Sequence, residues 1–142
     1  YPNMPPEFWQ VFEEFNRGEF YACHDTLEAI WLEAIEPDKT FYQGILQIGV
    51  GCYHLSNHNW RGALMLLGEG IRRLNRYHPT YGDIDVERLL DRSIEMLETL
   101  QQGGEDRVAE LAAQFGLGAE TLEQEKLMEL PRIERIVDPL PT

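Results

Sequence analysis

From Phe41 to Leu55 the only polar side chains besides two tyrosines are Gln43, Gln47 and His54. A run of that length exceeds a buried strand. At 3.6 residues per turn its three polar members fall within a sector about 40° wide of a helix that is otherwise apolar nearly all round. The pattern predicts a buried helix with a polar seam, and a seam of amides and imidazole needs hydrogen-bonding partners elsewhere in the fold.

The stretch His24-Asp25-Thr26-Leu27-Glu28-Ala29-Ile30-Trp31 offers such partners. Residues four apart lie one above the other on a helix, so His24 and Glu28 can act on one target. Around these segments the chain reads as helices throughout. Pro5-Pro6 opens a first helix carrying Phe8, Phe12 and Phe15, which ends at Asn16-Arg17-Gly18. A second runs from about Glu19 to Ile35 and stops before Pro37. Asp38 is expected to cap a third, reaching roughly Asn57. The fourth spans Trp60 to Tyr77, with Trp60, Ala63, Leu64, Leu67, Ile71 and Leu74 as its buried stripe. The turn cluster His78-Pro79-Thr80-Tyr81-Gly82 precedes a fifth helix, capped by Asp85 and closed by Gly103-Gly104. A brief helical face follows at Val108, Leu111, Ala112 and Phe115, and residues 116–142 read as an acidic arm laid over the core.

An internal echo relates two of these helices. Phe20, Cys23 and Leu27 align with Trp60, Ala63 and Leu67, which suggests two related helical hairpins. Two copies are too few for an open array, so a closed bundle is expected. No strand alternation competes. The fold class is therefore all-α: an antiparallel bundle of five to six helices, with residues 1–104 as the core and 105–142 as a C-terminal extension packed on it. Gly44, Gly51, Gly62, Gly68 and Gly70 weaken helix propensity by up to ~1 kcal/mol each, which points to close approach between helices, and Gly62, Gly68 and Gly70 also motivate self-association into a homo-oligomer.

Charge narrows the partners. With 12 basic and 25 acidic residues among 142, the formal net charge is −13, which repels nucleic acid and anionic membranes. Cys23 and Cys52 fall on apolar helical faces and read as small buried side chains, in keeping with a reducing cytoplasm. No leader pattern and no apolar run of ~18 residues is visible, so neither a signal peptide nor a membrane span is expected.

Four motifs occur in order: His24-Asp25-x-Leu27-Glu28-x-x-Trp31, Phe41-x-Gln43-Gly44-x-x-Gln47, Tyr53-His54, and Asn59-x-x-Gly62-Ala63-x-x-Leu66. Together they resemble the small all-helical family catalogued as domain of unknown function 309, over about residues 8–100. The resemblance implies a helical bundle with the histidines and Glu28 gathered inside it, and no established activity. This chain carries Asp25 where that family more often has glutamate.

Two functions follow from the cluster. A binding or interaction module would use His24, Glu28, Trp31, Gln43, Gln47, Tyr53 and His54 toward a protein or small molecule, with Trp31, Tyr42, Tyr53 and Trp60 as aromatic walls. A metal-dependent hydrolase would hold a divalent transition metal on His24, Glu28 and His54. The plainer use of the same residues is a satisfied polar network that fixes helix register. No nucleophile stands out: Cys23 and His24 diverge by about 100° on a helix, and Ser56 lacks a glycine elbow. Arg73 pairs with Glu69 four residues earlier, as on a solvated face.

Overall fold

The computed structural model describes residues 4–117 and 126–136. Six helices dominate: α1 (Pro6–Asn16), α2 (Phe20–Glu33), α3 (Asp38–Ser56), α4 (Trp60–Leu74), α5 (Val86–Gly103) and α6 (Val108–Gln114). Each of the first four packs on the next, and the contacts run in opposite directions along each pair. Between α1 and α2, Gln10 reaches Thr26 while Phe15 meets Phe20. Between α2 and α3, Tyr21 touches Tyr53 and Trp31 lies under Lys39. Between α4 and α5, the Trp60 indole donates to the Leu100 carbonyl at 2.8 Å. These helices form consecutive antiparallel hairpins.

The α3/α4 hairpin shows why the glycines are there. A Cβ built at Gly44 would come within 2.7 Å of Leu74, one at Gly51 within 2.9 Å of Leu67, and one at Gly70 within 2.8 Å of Ile48 and 2.9 Å of the Gly44 carbonyl. The two backbones touch because neither carries a side chain at the seam. Gly68 differs, with nothing within 4 Å of its would-be Cβ. Gly70 is thus spent on packing within the chain, and of the three glycines considered for self-association only Gly68 faces open space. The sequence echo holds at the level of burial: Phe20 and Trp60 open α2 and α4, and Cys23, Leu27, Ala63 and Leu67 are all buried.

Several boundaries differ from expectation. Helix α2 stops at Glu33, because Ala34 turns extended and Ile35, 80% exposed, has no core to join. Asp38 does not cap α3. Glu36 takes that part, accepting the Thr40 N–H at 2.8 Å, and these hydrogen bonds from Thr40 hold its carboxyl below the usual range. Asp38 instead accepts the Tyr81 hydroxyl. Helix α4 ends at Leu74, and Asn75–Tyr77 continue as one 3₁₀ turn. Helix α5 begins as expected, with the Asp85 carboxylate accepting the Arg88 N–H.

The turn cluster folds into a minimal antiparallel hairpin, β1 (Thr80–Tyr81) with β2 (Ile84–Asp85). Gly82 and Asp83 both adopt positive φ, as a two-residue hairpin turn with right-handed strand twist requires. The arm joins it from the far end of the chain. Asp85 donates to Glu134 and Ile136 donates to Asp83, each at 2.8 Å, while Ile133 inserts into the core. Asn16 clamps that insertion by exchanging two 2.8 Å hydrogen bonds with the Ile133 backbone. The interior is one apolar cluster that takes in Leu111, Phe115 and Ile133 from the later segment. Residues 118–125 and 137–142 of the expected arm lie outside the described residues.

Candidate functional site

Helix α3 is not buried all round. Gln43, Val50 and His54 are half-buried and Tyr53 is 38% exposed, so the seam side of the helix opens between its two neighbours. Facing it, α2 carries Tyr21, His24, Glu28 and Trp31 on one flank, a consequence of their three- and four-residue spacing.

Near the start of α2 and the end of α3 the two flanks enclose a pocket of about 200 Å³, lined by Phe20, Tyr21, His24, Val50, Tyr53 and His54. The two imidazoles differ in their partners. His24 sets Nδ1 3.3 Å from Asp25 and Nε2 3.5 Å from Glu28. A neutral ring, with one N–H, can donate to one of these carboxylates, whereas an imidazolium donates to both. His54 is fixed otherwise. Asn59 accepts the Gly62 N–H at 2.9 Å through its carbonyl, which caps α4, and so turns its amide toward His54 Nδ1 at 3.4 Å. With a donor in front of it, Nδ1 acts as acceptor and the ring proton of the neutral form sits on Nε2. Gly62 makes room for this ring: a Cβ there would lie 3.0 Å from His54 Cδ2.

The expected cluster therefore divides in two. Gln47, buried, belongs to a separate network on the α3/α4 seam, donating to Glu69 at 2.9 Å and accepting from Arg73 at 3.0 Å. Glu69 and Arg73, 3.9 Å apart, are not a purely solvated pair, because the glutamine ties both to the core. The reason is geometric: a stripe on α3 faces α4 at one end of its width and α2 at the other. Gln43 is half-buried on the same stripe. Glu28 reaches the pocket only through His24, and no group of three His, Cys, Asp or Glu residues suited to a metal ion occurs among the described residues.

The four aromatic walls also separate. Tyr53 lines the pocket, but Tyr42 stacks on Phe8 in the core, Trp60 is bound to α5, and Trp31 is covered by Lys39 at 4.8 Å. Cys23 and Cys52 are buried free thiols. Burial, with Glu14 nearby, pushes the Cys23 thiol up to about 12, and burial also raises Cys52, so neither supplies a thiolate nucleophile. Sequence reasoning missed Phe20, Tyr21 and Val50 as pocket residues. Tyr21 was legible in principle, lying three residues before His24 on the same helical flank.

Fold and pocket define an all-helical domain with an imidazole-lined surface cleft, a class set by architecture and not by a reaction. Over residues 8–66 the chain matches the model of the family described as "Domain of unknown function (DUF309)". The resemblance carried by the four motifs is shown over that stretch. It closes at Leu66, the last residue of those motifs, short of the expected extent near residue 100, and takes in every residue of the pocket. The chain is also similar to "Uncharacterized protein YpuF" of Bacillus subtilis (strain 168), at 26% identity over 132 residues, covering 92% of this chain and 72% of the relative. No solved structure matches the chain. No helix among the described residues is long and apolar enough to cross a membrane.

Proposed function

We propose that this chain is a binding module whose recognition element is the α2/α3 pocket. The carrying observation is that a cleft of about 200 Å³ brings His24 and His54 together among Phe20, Tyr21, Val50 and Tyr53 at the surface. Tyr21 is 66% exposed and its ring lies 5.8 Å from that of Tyr53, tilted by 56°. Tyrosines of this kind are enriched where proteins meet, since they offer large contact area with a polar tip.

Volume favours one kind of occupant. Sites for drug-sized ligands run to ~300–1,000 Å³. This one suits a single side chain presented by a partner protein. An aromatic ring would lie against the edge of the Tyr21–Tyr53 pair, with its polar tip accepting from the His54 Nε2–H. An aromatic acceptor such as a phenol satisfies both demands.

The test uses p-cresol, the side chain of tyrosine, titrated into the protein while histidine ring resonances are followed by NMR. A fragment of that size is expected to bind in about the millimolar range, ~4 kcal/mol. Saturable shifts of His24 and His54, lost in the pocket-filling variant Val50→Trp, support the proposal. An unresponsive pair of histidines overturns it. Elemental analysis of protein purified without chelator addresses the competing reading: a stoichiometric transition metal, lost on His24→Ala, would replace the binding module by a metal-dependent one.

A further inference from the structure

On the flank of α2 opposite the histidines, a groove of about 760 Å³ runs between α1, the end of α2 and the start of α3. Its apolar lining includes Ile30, Ala34 and Ile35, and Ile35 is the most exposed large apolar side chain among the described residues, at 80%. Its charged lining is of one sign. Glu7, Glu33 and Asp38 border it, and no lysine or arginine does. Glu7 and Glu33 are exposed, so their charge reaches solvent. The groove is built and not merely a gap, because Gln10 of α1 donates across it to Thr26 of α2 at 3.3 Å.

Apolar surface bordered by uncompensated carboxylates is complementary to a segment that carries apolar anchors and cations together. We propose that this groove docks a basic amphipathic segment of a partner protein, its apolar side chains against Ile30, Ala34 and Ile35 and its lysines or arginines toward Glu7 and Glu33. The net charge of −13 aids encounter with such a partner at long range, while the groove supplies the position at which it stops. This inference is independent of the histidine pocket, which lies on other residues.

The experiment is fluorescence anisotropy with a labelled synthetic peptide of leucine and lysine at helical spacing, alongside the same pattern with glutamate for lysine. The full chain should bind the basic probe saturably and leave the acidic probe unbound. Glu7→Lys combined with Glu33→Lys, and separately Ile35→Ser, should each weaken binding by about tenfold or more. Those three side chains are exposed, and melting curves confirm that the variants fold. Reversal of two exposed carboxylates elsewhere, Asp91→Lys with Glu95→Lys on α5, should leave affinity within about twofold. An equal loss there would mean diffuse attraction to an acidic surface and would overturn the proposal. So would equal binding of the acidic probe, no binding at all, or a dimer in sedimentation that Ile35→Ser dissolves, since the groove would then be covered by a second copy.

Discussion

The amide of Asn59 faces Nδ1 of His54 across 3.4 Å, held there because the Asn59 carbonyl is committed to the Gly62 N–H. One asparagine thus caps α4 and sets the tautomer of a pocket imidazole. Long-range proton–nitrogen NMR at neutral pH should find His54 in the Nε2–H form. Asn59→Ala should return it to a mixture and cost about 1 kcal/mol of stability through the lost cap. A His54 already in the Nδ1–H form would contradict the arrangement.

Glycine at the α3/α4 seam is required by contact, and the requirement is specific to position. Gly70→Ala places a methyl 2.9 Å from the Gly44 carbonyl, a backbone atom that cannot step aside, and should destabilise by ~1–3 kcal/mol in urea unfolding. Gly68→Ala meets nothing within 4 Å and should stabilise by up to ~1 kcal/mol. Equal effects at both sites would refute the close-approach account.

Asn16→Ala removes both hydrogen bonds that pin the Ile133 backbone. With a buried N–H and C=O left without partners, stability should fall by ~1–3 kcal/mol. Limited proteolysis should then cut within 126–136 faster than in the parent protein; unchanged cleavage there would show that the arm is held by Ile133 burial alone.

Tyr42 contributes to alkaline stability, beside the buried thiols of Cys23 and Cys52. Burial, with Asp38 and Glu7 adding to it, raises its phenol from the usual 10 to about 12. For a raised group the stabilisation is whole below the unfolded value and is lost as pH climbs toward the folded one, so the loss falls between 10 and about 12. Tyr42→Phe should flatten the fall in melting temperature across that window. A parallel fall in both proteins would assign alkaline loss to other groups.

How much of this was legible in the sequence depended on the range of the interaction. Helical periodicity and local punctuation marked out the helices, and the cap at Asp85 follows from chemistry within three residues, whereas the Asn59 cap went unread. The Asp38 cap failed because Tyr81, distant in sequence, competes for its carboxylate, while Glu36 reaches forward to Thr40. The β-hairpin escaped notice because two-residue strands leave no alternation to read. For the site, His24 and His54 did converge, since both lie on the facing flanks of adjacent helices. Gln47 did not join them. Its stripe could be placed on α3, but which neighbour it would face depends on how α2 and α4 divide that surface, and only the packing of Gly44, Gly51 and Gly70 against α4 decides it.

The central claim is that the pocket between α2 and α3 receives an aromatic side chain. A crystal of the protein soaked with p-cresol tests this most directly. The account predicts density for a ring in the pocket beside Tyr21 and Tyr53 with its hydroxyl within hydrogen-bond reach of His54 Nε2, absent in Val50→Trp. A ring bound elsewhere, with His24 and His54 unchanged, would contradict it.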